Sequence, residues 1–401
     1  MQKKKIDVFT KYFYPVAAGI ETNIIETYSV LAKKGWNINI HTSNNTYTEK
    51  ASLTNREELR GLDIKRYDFG IFGFWPKIDH KNTDLVCLHN FDIFPQFQIL
   101  VHVLYLKLIG RKKFALILTP HGGFNPEWRV FKPWQVIIKR TYHFTLGAWL
   151  INKTVDGVRA VSEWERGELI KKGIKKNLVS VIDNGLEDEA YADLEMKASD
   201  NIKQKVKGFN EYIIQIGRIY PIKNYETTIK ALAQVPKNIK YVIVGPVADK
   251  LYLTKLNKLA KVYGVEERII YAGVIRGVDK YYLIKHAKMM VHMAIWESYC
   301  NVVHEGMSQG LVCLVANNTA LPLLIKNEKN GYVIESFDSQ ALAEKINHVL
   351  DNFSSTKIQN MRELNRQIGL MNSWKKVAGR MNEWYRELSK KYDKNNNEYE
   401  K

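Results

Sequence analysis

The sequence predicts an α/β protein built from two doubly wound parallel-sheet domains. Two observations carry that prediction: strand-length apolar runs recur along the whole chain, and amphipathic runs of helical length separate many of them. Strands covered on both faces lose the in-out alternation of half-exposed ones, which is how IDVFT, NINIHTS, DLVCLH, FALILTP, VRAVS and VSVID read in the first half. YIIQIG, KYVIVG, RIIYAG, KMMVHMA and LVCLVA form a second series, and two such series mean two domains. Between strands, Glu21 to Lys34 reads as a helix stopped by Gly35, and Asn224 to Val235 as one stopped before Pro236.

The domains are placed at 1–190 and 191–372. Their join falls between Asn184 and roughly Asn210, where the polar stretch GLEDEAYADLEMKASDNIKQKVKGFN shows little sustained apolar period. A C-terminal helix over 373–392 sets Trp374, Val377, Met381, Trp384 and Leu388 on one face at spacings of three and four. The tail DKNNNEYEK, over 393–401, is expected to be disordered.

The chemistry concentrates in WESYCNVVHEGMSQG, where Glu297 and Glu305 stand eight positions apart between a strand (Met289 to Ala294) and a helix expected to begin near Cys300. Glu297 then lies in the loop and Glu305 one turn further along the helix, so both reach one ligand from two sides. The amides of Tyr299, Cys300, Asn301 and Val302 are the open donors of that helix N-terminus and suit an anion. Two glutamates near a helix start are common for dipole reasons alone. Upstream, however, YIIQIGRIYPIKN ends an apolar strand at Gly217 and follows it with Arg218 and Lys223, two cations that suit a diphosphate. Carboxylates accept from vicinal hydroxyls and repel phosphate, so the implied ligand is a polyhydroxylated phosphate ester, a description that a nucleotide sugar fits.

This combination of Gly217-Arg218, Lys223 and Glu297 to Glu305 resembles the retaining glycosyltransferases of family four, glycosyltransferase group 1, over nearly the whole chain. KYFYPVAAGIETNIIETYSVLAKKG resembles that family's first strand, glycine loop and helix; LTPHGGF, its histidine-bearing strand; and VRAVSEWERGELIKKGI with VSVIDNGLE, the end of its first domain, with a hinge entry at Asn184 and Gly185. The resemblance implies the GT-B fold: two Rossmann-like domains facing a central cleft, the first binding the acceptor and the second the nucleotide sugar, with the C-terminal helix packing back on the first. It also implies that Arg218 and Lys223 neutralise the diphosphate, that Glu297 and His121 meet the transferred sugar, that Glu305 takes the ribose hydroxyls and that backbone near Val274 meets the base. The chain departs from the pattern in its Ala18-Gly19 pair, which leaves Gly19 as the close-approach residue. It departs also at Gly306, at Val312 and in ALPLLI, which lacks an acidic residue after Pro322.

No two aspartates stand two apart, so the diphosphate is expected to be held by protein cations and helix-end amides, with no metal and no cofactor besides the donor. The resemblance implies a UDP-, GDP- or ADP-sugar as donor. The acceptor that the resemblance implies is a glycan or lipid-linked hydroxyl. The chain carries a formal net charge of +18, diffuse at +6 in residues 1–200 and +12 in residues 201–401, without the dense arm or module of a nucleic-acid binder. Attraction to anionic lipid or to a lipid-linked phosphate is preferred, beside the plainer reading of a Lys-rich soluble surface. The segment FKPWQVIIKRTYHFTLGAWLINK, with Trp134, Trp149 and several cations, reads equally as a helix lying on an anionic bilayer and as a packed helix with a wet basic edge. IFPQFQILVHVLYLKLIG is broken by Gln96, Gln98, His102 and Lys107 and reads as a helix on the sheet. MQKKKIDVFT shows no signal peptide, and Cys87, Cys300 and Cys313 have no paired spacing, so a cytoplasmic protein, with possible membrane-face contact, is expected. The alternatives are a nucleotide-sugar epimerase of related fold and a non-catalytic basic protein that binds membrane or nucleic acid. A phosphorylase would need a pyridoxal phosphate lysine, for which no motif is present.

Overall fold

The computed structural model describes residues 4–16, 18–45, 53–70, 73–74, 78–79, 81–124, 128 and 131–393. Contacts divide the chain into two compact units, one running to Gly185 and resuming at Trp374, the other spanning Leu186–Ser373.

The first unit holds an eight-stranded sheet: β1 (Lys5–Phe9), β2 (Asn37–Ser43), β3 (Arg56–Leu59), β4 (Leu62–Tyr67), β5 (Leu85–His89), β6 (Ala115–Thr119), β7 (Gly157–Ala160) and β8 (Val179–Val181), in the order β3-β4-β2-β1-β5-β6-β7-β8. Every pairing is parallel except β3 on β4, so the expected all-parallel sheet carries one antiparallel hairpin at its edge. β3 and β4 went unread because LDIKRY is only half covered: its burial alternates, and charge occupies the open side. In the middle of the sheet both faces are covered. Ile6, Val8, Leu85, Cys87, Ala115 and Ile117 point into one core, while Phe9, Val86, Leu88, Leu116 and Leu118 point into the other.

The first of these cores is closed by the helix Gly19–Lys33 and by the C-terminal helix Trp374–Asp393, which packs against it and against β6. The buried stripe of that last helix is Trp374, Val377, Ala378, Met381 and Tyr385; Trp384 and Leu388, read from the sequence as part of the stripe, flank it only partly covered. Gly157 makes room for them, since a Cβ there would stand 2.6 Å from Trp384 and 2.9 Å from Leu388. Residues 394–401, most of the expected tail, lie outside the described residues.

The second unit holds β9 (Tyr212–Ile216), β10 (Lys240–Val244), β11 (Ile269–Gly273), β12 (Met289–His292), β13 (Cys313–Ala316) and β14 (Gly331–Ile334), all parallel, in the order β11-β10-β9-β12-β13-β14. Counted within the unit this is 3-2-1-4-5-6, the dinucleotide-fold order, whose direction reverses between β9 and β12. The first unit reverses in the same way between β1 and β5.

The polar stretch after Asn184 is not a linker. Leu186, Ala190, Leu194, Ala198, Ile202 and Val206 are buried at intervals of four and belong to the core of the second unit, so the expected join at residue 190 lies inside that unit. The period was hidden because two of the six are alanine and because Asp193 and Ser199, which cap two short helices, interrupt it.

Met381 is fully buried between the C-terminal helix and the sheet. Met381→Ala is expected to cost ~2–5 kcal/mol, read as a lowered urea midpoint; an unchanged midpoint would show that the helix is not part of this core.

Candidate functional site

In open α/β sheets, ligands gather at the carboxyl ends of strands where the strand order reverses, because neighbouring loops diverge there and leave a crevice. In the second unit that point lies between the loops after β9 and β12, and both carry residues singled out above. The loops are laced together: Ile295 N–H donates to the Ile222 carbonyl (2.9 Å), and the Asn224 side-chain amide to the Met293 carbonyl (3.0 Å). Asn224 turns the chain in a left-handed conformation (φ 48°) just after the turn Pro221–Lys223, which aims Lys223 back across the strand end. Gly217 leaves the path clear, since a Cβ there would sit 3.3 Å from Lys223 Cε. Lys223 Nζ bonds the Glu297 carboxylate, and His292 Nε2, at the end of β12, lies 2.9 Å from the same oxygen. Burial opposes ionisation of Glu297, but Lys223 and then His292 outweigh it and bring its pKa from 4.5 down to about 2. Arg218 stands half-buried directly after Gly217.

The helix Asn301–Ser308 begins near Cys300, as expected. Cys300 is its N-cap, in a left-handed conformation (φ 81°), with the buried Tyr299 before it and Asn301 and Val302 in its first turn. Glu305 projects from the second turn, and its Oε1 pairs with Lys280 (3.1 Å), which also holds Glu187 (2.9 Å); Glu305 Oε2 is buried without a hydrogen-bond partner. Burial opposes the Lys280 charge, but Glu305 and Glu187 outweigh it and hold the ammonium above the usual lysine range. The helix is fixed from behind: His304 Nε2 meets the Gly369 carbonyl at 2.9 Å, and Gly369 lies so close that a Cβ would stand 2.4 Å from Ser308 N. Gly306, a departure from the family pattern, is matched by Met290, whose sulfur would lie 2.8 Å from an added Cβ. Val274 follows β11 and is exposed.

His292, Glu297 and Cys300 bring three potential ligand atoms within 4.8 Å of one another. The carboxylate is already shared by Lys223 and His292, and burial raises the Cys300 thiol, which disfavours the thiolate that a metal takes.

Gly19 and His121 belong to the first unit. Gly19 opens the helix Gly19–Lys33 without a side-chain cap. His121 follows β6 in a left-handed conformation (φ 51°) and is fixed by a buried chain: His121 Nε2 to His89 Nδ1, His89 Nε2 to Tyr28 Oη and Tyr28 Oη to Tyr385 Oη, each 2.9 Å. Burial, with the buried Arg159 guanidinium adding to it, lowers the His121 pKa to about 3, so the ring is a neutral imidazole at physiological pH. Glu165 accepts from the Gly122 and Val161 amides and pins the turn, and burial raises its carboxyl to about 7.

The structure therefore gathers Arg218, Lys223, Glu297 and the helix start at 299–302 at one switch point, with Glu305 on the same helix. Sequence reasoning missed His292, Lys280, His89 and Glu165. His292 lies inside a strand read as near-continuously apolar core, and Lys280 carries no spacing signal toward Glu305; only folding sets it opposite.

Residues 197–367 match the glycosyl transferases group 1 family. Among curated relatives, the chain is 22% identical over 340 residues to alpha-monoglucosyldiacylglycerol synthase of Streptococcus pneumoniae, covering 82% of this chain and 74% of that one. It is 26% identical over 205 residues to UDP-Gal:alpha-D-GlcNAc-diphosphoundecaprenol alpha-1,3-galactosyltransferase of Escherichia coli, covering 49% and 50%. Its fold matches that of HepE from Anabaena, solved with UDP, at a TM-score of 0.72 and 18% identity over 95% of this chain and 98% of that one. With two doubly wound sheets of the GT-B fold and a glycosyl transferases group 1 match confined to residues 197–367, the protein is a glycosyltransferase.

A carboxylate whose folded pKa is depressed adds stability above its ordinary pKa and loses it as pH falls through the folded value. Lys223→Met is thus expected to cost about 3 kcal/mol at neutral pH, a deficit that shrinks between pH 4.5 and about 2 as Glu297 protonates. Urea midpoints across that range check it, and a deficit independent of pH would remove the ion pair as its cause.

Proposed function

We propose that this protein is a retaining, metal-independent glycosyltransferase that moves a sugar from a nucleoside diphosphate sugar to a hydroxyl of a lipid-linked or glycan acceptor at an anionic membrane face. The observation that carries the reading is the Lys223–Glu297 pair at the switch point, beside Arg218 and the start of the helix Asn301–Ser308, which no side chain of its N-cap closes. Each half of that pair is what the donor supplies in the other's place. A diphosphate offers Lys223 a stronger anion, and the sugar hydroxyls offer Glu297 donors to replace the ammonium. On the same logic Glu305 Oε2, buried and unpartnered while Lys280 holds Oε1, accepts from the ribose hydroxyls. Val274 backbone meets the base, and the neutral His121 is a polar contact of the transferred sugar.

As the bond from the anomeric carbon to the β-phosphate oxygen breaks, negative charge grows on the departing diphosphate. Arg218, Lys223 and the amides near Gly19 and over 299–302 bind that charge more tightly than the ground state, and this difference is the catalysis. The acceptor oxygen attacks from the face the diphosphate is leaving, the new carbon–oxygen bond forms with retention, and the acceptor proton passes to the departing phosphate. The donor base is uridine by analogy with the UDP-bound neighbour, guanosine and adenosine being the other candidates. Relatives whose names carry diacylglycerol and diphosphoundecaprenol support a lipid-linked acceptor.

Glu305→Ala is expected to weaken nucleotide affinity about tenfold or more, as loss of a charged hydrogen bond does. Arg218→Ala should lower turnover about 10²-fold with a smaller change in affinity. Titration calorimetry and initial rates distinguish the two, and wild-type values in both variants would defeat the assignment. Incubation with radiolabelled nucleotide sugars and a lipid extract should move label into lipid; a free epimerised sugar nucleotide would identify an epimerase instead. Among uridine, guanosine and adenosine diphosphate sugars, only the true donor should raise the melting temperature strongly.

A further inference from the structure

The helix Pro133–Tyr142 continues through one wide π turn, His143–Gly147, into Ala148–Thr154. Its inner side is ordinary core, with Val136, His143, Leu150 and Ile151 buried. Its outer side is not an ordinary solvent face. Trp134 is 58% exposed and Ile137 56%, and Ile138, Phe144, Leu146 and Trp149 stand open with them. The π turn leaves Phe144, Thr145 and Leu146 exposed in succession. The helix Gln96–Leu108 packs alongside, joined by Lys107 Nζ to the Lys153 carbonyl (2.7 Å), and it adds Val101, Tyr105 and Leu108, the last 77% exposed. Contiguous apolar surface of this kind marks a contact site, because water alone gives no reason to keep it.

The charge says what it contacts. Residues 93–154 hold nine Lys and Arg against one acidic residue, Glu127. Cations sit among the rings: Arg140 lies 5.0 Å from the Trp128 ring, Lys139 4.9 Å from Phe131 and Lys172 5.7 Å from Phe144. Lys107, Lys132, Arg140 and Lys153 are exposed. Aromatic rings and aliphatic chains set among basic heads fit the boundary between acyl chains and anionic head groups. A second copy of the same face would oppose cation to cation. No helix among the described residues is long and apolar enough to cross a membrane, so the contact lies along the surface.

We propose that the outer face of Pro133–Thr154, extended by the exposed side of Gln96–Leu108, docks this protein on an anionic phospholipid bilayer. The proposal gives the membrane placement in the functional reading above a specific surface and rests on that reading only for its purpose.

The test is co-sedimentation of the full chain with vesicles of phosphatidylcholine alone and of phosphatidylcholine with phosphatidylglycerol. The wild type should pellet with the anionic vesicles and leave them as salt is raised. Trp134→Ser with Ile138→Ser, and separately Lys132→Glu with Arg140→Glu, should each lower the partition coefficient about tenfold or more. Both pairs are exposed and should leave the melting temperature and its shift with uridine diphosphate unchanged. Equal binding to both vesicle types, wild-type binding by both double variants, or a concentration-dependent dimer without vesicle binding would overturn the proposal. Vesicle binding without any nucleotide-dependent shift would instead remove the donor reading and leave this surface standing.

Discussion

A buried carboxylate must be compensated where it stands, and in the second unit that demand organises the site. Glu297 is held between Lys223 and His292, which come from the loop after β9 and the end of β12, strands adjacent in the sheet yet far apart in sequence. The pair fixes both loops at the one place where the strand order reverses, and the backbone bonds between Ile222 and Ile295 hold them there. Glu305 repeats the arrangement one helix turn away with Lys280. Glu297 is thereby kept ionised inside a core that would otherwise protonate or expel it, whereas burial, with Glu187 adding to it, still raises the Glu305 carboxyl beside Lys280.

The first unit solves a different problem. Its buried Arg159 has Asn23, Asn184 and the Ile182 carbonyl as hydrogen-bond partners, and its charge adds to burial in keeping His121 neutral. The ring of His121 is oriented through His89 and Tyr28 to Tyr385 on the C-terminal helix. That helix therefore does more than close a core: the last segment of the chain contributes the far end of a hydrogen-bond chain that reaches a loop after β6.

Much of the architecture was legible because strands buried on both faces leave long apolar runs. Glu297, Glu305, Arg218 and Lys223 were singled out by two motifs taken together, each lying within one strand-loop-helix unit, and by the resemblance those motifs carry, all of it local information. The misses have a common cause. β4 alternates because only one side is covered, and the apolar fours from Leu186 to Val206 run through alanines and caps that look polar in a window. The outward apolar face of Pro133–Thr154 could not be told from a core face, because periodicity gives a stripe its width and not its direction.

The sequence by itself determined the two doubly wound series and singled out the cations and carboxylates that end at one switch point, since both depend on neighbours within some twenty residues. Only the tertiary structure decided which group partners which: Lys280 with Glu305, and Lys223 with His292 around Glu297, as charge partners, and His89 with the neutral His121 as a hydrogen bond. Ion pairing and hydrogen bonding act over a few ångströms of space, and strand order, not chain distance, sets which side chains come that close.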